Sequence, residues 1–157
     1  MEKRSDVLDP VDRALLQLLQ EDAHLTIKEI AQRLHLTSTP AYERLRRLER
    51  EGYVERYAAI VNRRKVGLAL LAFCDVALKE HNRDFLEHFE RQVKQFSEVV
   101  ECYHITGEYD YLLKVVVSDM DAYQYFIKEK LASLENIGRV QSHFVMMEVK
   151  NTTALPL

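Results

Sequence analysis

The stretch "LDPVDRALLQLLQEDAHLTIKEIAQRLHLTSTPAYERLRRLERE", residues 8–51, decides the reading of the chain. Asp9 stands where a helix N-cap is expected and Pro10 at the first helical position, with Leu15, Leu18 and Leu19 recurring at helical spacing. Thr26 to Glu29, "TIKE", is a capping box that opens a second helix with Ile30, Ala31 and Leu34 inside. "HLTS" breaks the period. A third helix then starts with Thr39 as cap and Pro40 at the first helical position, and Gly52 ends it. "YVERYAAIV", residues 53–61, alternates like a two-stranded wing. Two short helices, a tight turn and an arginine-rich third helix make a helix-turn-helix.

On the third helix Ala41, Leu45 and Leu48 share one face. Tyr42, Glu43, Arg46, Arg47 and Arg50 lie opposite, with Ser38, Thr39 and Pro40 at the start. An exposed charged face is ordinary, but three arginines on one side suit a helix end in a major groove, with hydroxyls and guanidiniums on phosphates and bases. Arg44 flanks the inward face and is expected in a structural ion pair. The charge distribution agrees. Residues 1–65 hold 13 Lys and Arg against 11 Asp and Glu, whereas residues 66–157 hold 9 against 14. A basic first part on an acidic remainder suggests two tasks.

The second part reads as βαββαβ. "LALLAFCDVAL" (68–78), "EVVECYHIT" (98–106), "YLLKVVVS" (111–118) and "RVQSHFVMMEV" (139–149) are strands. "DFLEHFERQVKQF" (84–96) and "MDAYQYFIKEKLASL" (120–134) are helices, the first with Phe85, Phe89, Val93 and Phe96 on one stripe. The fold class is therefore α+β, a winged helix-turn-helix domain (1–61), a linker "NRRKVG" (62–67) and a ferredoxin-like domain (68–157). Along 68–78 both faces are apolar: Leu68, Leu70, Ala72, Cys74 and Val76 on one, Ala69, Leu71, Phe73 and Ala77 on the other. Helices cover one face of such a sheet, so the other calls for a partner, most simply a second copy.

The rest of the composition excludes more than it adds. No apolar run reaches the ~18 residues of a membrane helix, and the start lacks the core of a signal peptide, so a cytoplasmic protein is expected, nucleoid-associated through the DNA reading of the third helix. Cys74 and Cys102 sit in apolar runs and read as buried free thiols. The six histidines have no zinc spacing and no phosphate loop appears, so neither metal nor cofactor is expected. One feature asks for more: the tip Gly107-Glu108-Tyr109-Asp110 between two strands carries an acid where the second strand begins. It is either a solvated turn or a place that holds a small ligand.

"LDPVDRALLQLLQEDA", "STPAYERLRRLEREGYV", "CYHITGEYDYLLKV" and "HFVMMEVK" together resemble the Lrp/AsnC family of transcriptional regulators, over about residues 8–150. "TGEYDYLLK" and "VSDMDAY" are most similar to its leucine-responsive branch. The resemblance implies an N-terminal module on double-stranded DNA and a C-terminal module that dimerises through its sheet, commonly assembling to octamers. It also implies a free amino acid bound near the hairpin. Carried onto this chain, that pocket is Thr106, Gly107, Glu108, Tyr109 and Asp110, with Ser142 on the last strand facing it. Asp110 would pair with the ligand ammonium and the backbone N–H groups of the tip with its carboxylate. No second acid or base is obvious nearby, which favours an apolar or small effector such as leucine.

Two positions depart from the family pattern: His35, where Gly is common at the turn, and Tyr42, bulkier than the usual aliphatic residue. Two other readings stand beside the regulator. Some proteins of this architecture act as sirohaem decarboxylases, for which His104 and His143 lie in the right module. An amino-acid sensor that never touches DNA is the other, against which the clumped arginines speak.

Overall fold

The computed structural model describes residues 8–157, which form two units: residues 8–60 together with 150–157, and residues 61–149. In the first unit, helices α1 (Pro10–Glu21), α2 (Ile27–Arg33) and α3 (Ser38–Arg50) close on a core of Leu15, Leu16, Ile30, Ala31, Ala41 and Leu48. Both early caps form as expected. Asp9 accepts from the Asp12 N–H at 2.8 Å while Asp12 accepts from the Asp9 N–H at 3.2 Å. Thr26 and Glu29 close the second box. His35 takes φ 55°, the left-handed conformation that makes Gly common at such a turn.

Two local expectations fail. The cap of α3 is Thr37 rather than Thr39, so Pro40 is the third helical residue. Proline is tolerated there because the first N–H groups of a helix have no intrahelical acceptor anyway, so it does not mark the start. Residues 53–62 contain no strand, so the alternation of "YVERYAAIV" does not become a two-stranded wing within the chain. A β pattern without a partner strand cannot satisfy its backbone in a ladder.

The presumed linker holds a short 3₁₀ turn, Arg63–Val66, closed by Gly67 at φ 83°. Strands β1 (Leu70–Leu78), β2 (Val99–His104), β3 (Tyr111–Val117) and β4 (Ile137–Phe144) form one antiparallel sheet in the order β2-β3-β1-β4. That order and the helices α4 (Arg83–Val93) and α5 (Met120–Tyr125) give the expected ferredoxin-like arrangement. The core between sheet and helices holds Ala72, Cys74, Val76, Phe89, Val93, Leu113, Val115 and Phe126. Phe85 is only half-buried and Leu86 packs on the core instead.

The last helix does not stay α-helical. Residues Phe126–Leu131 form a π turn, with the Ala132 N–H on the Ile127 carbonyl at 2.8 Å. Phe126 and Leu131 are both fully buried. In an α-helix, residues five apart diverge by about 140° at 3.6 residues per turn. The wider turn brings both into the core.

Cys74 is buried, and burial pushes its thiol up to about 11. Cys102, expected to be buried, is exposed, because β2 is an edge strand. Among the described residues no helix is long and apolar enough to cross a membrane, and no group of three or more His, Cys, Asp or Glu is placed to hold a metal ion.

Candidate nucleic-acid interface and hairpin site

Helix α3 sorts its arginines into two pairs. Arg46 and Arg50 keep 63% and 72% of their side-chain surface and make only surface contacts, to Glu49 at 3.0 Å and Glu51 at 3.6 Å. Ser38, Thr39, Pro40, Tyr42 and Glu43 are exposed around them. Arg44 turns inward, as expected, to Asp9 at 2.5 Å and Asp12 at 2.7 Å. Arg47, expected outward, does the same and ion-pairs with Asp12. Asp12 is 1% exposed, the one buried charged residue among those described, and nothing in its position as the third residue of α1 announces that role. The wheel places Arg47 on the rim of the outer face, but its long side chain reaches back over the helix. The exposed face left for a partner is therefore Ser38, Thr39, Pro40, Tyr42, Glu43, Arg46 and Arg50.

The hairpin is likewise divided. Gly107 takes φ 125° at the tip, a conformation that costs other residues. Glu108 pairs with Arg139 at 2.5 Å, whose guanidinium lies 4.6 Å from the centre of the Tyr109 ring, and the Tyr109 hydroxyl donates to Gln141. Thr106, Gly107 and Glu108 are exposed, and Tyr109 is half-buried. Asp110 is turned away from this group. Its carboxylate accepts from the Leu78 N–H at 2.7 Å and meets the His81 ring at 3.0 Å, and its own N–H donates to the Val76 carbonyl at 2.9 Å. It ties the hairpin to the end of β1.

Ser142 does not face the hairpin. It pairs with Cys74 across β1 and β4 on the helix-covered side, where the Tyr123 hydroxyl donates to it at 2.5 Å. The residues of β4 that do reach the tip, Arg139 and Gln141, alternate with it. A one-residue difference in strand phase, which sequence alone does not fix across a bulge such as that at Ala77/Leu78, exchanges the two sets.

The uncovered face carries Leu71, Phe73, Asp75 and Ala77 of β1 beside Leu112, Lys114 and Val116 of β3. It is less apolar than expected. His143 meets Asp75 at 3.0 Å, and Lys114 donates to Glu101 at 2.7 Å, which holds the Glu101 carboxyl below its ordinary range against the opposing effect of burial.

Residues 8–55 match a winged helix-turn-helix DNA-binding domain and residues 71–155 the Lrp/AsnC ligand-binding domain. The chain is 38% identical over 151 residues to the DNA-binding transcriptional activator DecR of Escherichia coli K12, covering 96% of this chain and 99% of that one. It is 37% identical over 148 residues to the leucine-responsive regulatory protein of the same organism, with 94% and 90% covered. A transcriptional regulator of Neisseria meningitidis, solved as a complex with L-Met, superposes with a TM-score of 0.92 at 39% identity, covering 96% of this chain and 97% of that one. An AsnC family regulator of Agrobacterium tumefaciens gives 0.91 at 38%, with 95% and 97% covered. These relatives are regulators and lend nothing to a decarboxylase. A helix-turn-helix with an exposed arginine pair, joined to a βαββαβ unit with this hairpin, belongs to the Lrp/AsnC family of DNA-binding transcriptional regulators.

Proposed function

We propose that this regulator reads double-stranded DNA with the exposed face of α3 and that a small, apolar free amino acid alters its assembly or its DNA affinity. The observation that carries the DNA reading is the pair Arg46 and Arg50, both exposed and without a buried partner, beside the hydroxyls of Ser38 and Thr39. The effector is proposed to lie over the hairpin tip, Thr106 to Tyr109. Arg139 and Glu108 pair with each other at the exposed tip, and opening that surface pair offers a cation for a carboxylate and an anion for an ammonium, the two charges every free amino acid presents. The L-Met in the Neisseria relative supports an apolar side chain, and leucine is the first candidate to test. Asp110, its carboxylate already engaged, serves this site by holding the hairpin in place.

A homodimer through the open sheet face, and a larger ring such as an octamer, fit the same reading, as does a cytoplasmic place on the nucleoid. The decisive experiment is the salt dependence of DNA binding. Replacing Arg46 and Arg50 by Ala is expected to weaken affinity and to lower the log–log salt slope by about 0.9 for each lost phosphate contact. Unchanged affinity and slope in the double variant would remove DNA reading from this face. For the effector, the twenty amino acids are screened by thermal shift, since a ligand that binds the folded state raises its melting temperature.

A further inference from the structure

The division of the α3 arginines has a consequence for how strongly the protein holds DNA of any sequence. Four arginines lie within seven residues of this helix, and two of them are taken out of play by one buried carboxylate. Asp12 accepts from Arg44 at 2.7 Å and also from Arg47. Arg44 has Asp9 as a second partner at 2.5 Å, but among the described residues Asp12 is the one carboxylate in contact with Arg47. Arg47 is also imperfectly held: its Nε is buried and has no hydrogen-bond partner. A buried donor without an acceptor is costly, and release to water would satisfy it. Over a third of the Arg47 side chain is already exposed, and it lies next to Arg46 on the helix proposed to meet DNA.

We propose that Asp12 is a specificity-determining positioning residue: it withholds Arg47 from DNA phosphate and so limits sequence-independent binding. Phosphate contacts supply most of non-specific affinity without carrying sequence information, so a regulator gains discrimination by keeping them few. Removing the Asp12 charge leaves Arg47 with an uncompensated guanidinium that is better solvated, or placed on a phosphate, than where it lies. The proposal rests on α3 being the DNA-reading helix.

The test measures binding of the full-length protein to a random-sequence duplex across a salt series. Asp12→Asn is expected to steepen the slope by about 0.9 for each DNA-bound subunit, so that a fourfold dilution of salt strengthens binding more than in the wild type by about 3.5-fold for one bound subunit and about 12-fold for two. Asp12→Asn combined with Arg47→Gln is expected to return to the wild-type slope. A weaker variant with an unchanged slope would make Asp12 merely structural and overturn the proposal. A slope that stays steep in the double variant would overturn it too, because the effect would then belong to the lost acid and not to Arg47. Should Asp12→Asn fail to fold, Asp12→Ser takes its place with the same expected slope, and Arg47→Gln alone is expected to keep the wild-type slope, a fall of about 0.9 showing Arg47 already on phosphate and overturning the proposal. Arg46→Ala with Arg50→Ala serves as control. No change there removes the DNA face itself, whereas a lowered slope there with none of the Asp12 effects removes only the present proposal.

Discussion

Asp110 and Arg47 are the residues at which side-chain destination departs from sequence position. Asp110 stands in a hairpin tip, where an acid is usually solvated, yet its side chain is 18% exposed and bound to groups some thirty residues earlier, the Leu78 N–H and His81. Asp110→Asn keeps a carbonyl acceptor for that N–H but loses the charge. It is expected to cost on the order of 1 kcal/mol, read as a lower urea midpoint. A midpoint equal to the wild type would mean that the tie is idle. If the hairpin site is right, effector affinity should fall through loss of loop position, and Glu108→Gln should reduce it with the fold intact. Neither the tie nor the Asp12–Arg47 pair was legible in the sequence. A helical wheel gives the direction of a Cβ, not the end point of a long arginine side chain, and contacts at long separation leave no local pattern. His35 was legible, because the need for a positive φ is local to its turn.

At the scale of elements, caps were read well and their exact starts were not. Asp9 shows why a cap is detectable: it accepts the Asp12 N–H and the Arg44 guanidinium, which together outweigh the upward effect of burial and hold its carboxyl below the ordinary 3.8. A carboxyl lowered in the folded state contributes stability above its unfolded value, and that contribution disappears as pH falls through the folded one. Asp9→Asn is therefore expected to be less stable than the wild type at neutral pH, with the gap in urea midpoint closing below pH 3.8. A gap that is constant with pH would assign the loss to packing. Three consecutive hydroxyl residues, Thr37, Ser38 and Thr39, left the start of α3 ambiguous, and Thr37 makes no side-chain cap bond to mark it. The π turn of 126–131 was invisible for a similar reason. Its residues favour helix of any pitch, and the choice was made by where Phe126 and Leu131 had to point.

For the whole molecule, the order of elements sufficed to give the fold, since βαββαβ with period-2 strands has few compact solutions. The character of the open sheet face was only half legible, because Asp75, Lys114 and His143 find partners there that make them compatible with a covered surface. Phe73 is the better probe of that face. Leu71 is already buried within the chain, its carbonyl accepting the Val145 N–H at 3.0 Å, whereas Phe73 is half-buried. Phe73→Asp would carry a charge into a subunit interface, a cost of several kcal/mol, about 3 or more without a partner. Light scattering is expected to show smaller species than the wild type. A wild type that is monomeric at micromolar concentration would dismiss the interface.

The segment 150–157 changes how the chain can be cut. The Leu155 N–H donates to the Gln20 side-chain carbonyl at 2.6 Å and the Gln20 amide donates back to the Leu155 carbonyl at 3.2 Å. Leu155 thus belongs to the unit that contains α1, and the βαββαβ unit is topologically an insertion, entered from residue 60 and left at residue 150. A gene fragment that stops after residue 60 then lacks the segment that Gln20 holds, and a truncation at residue 149 removes that contact of the first unit.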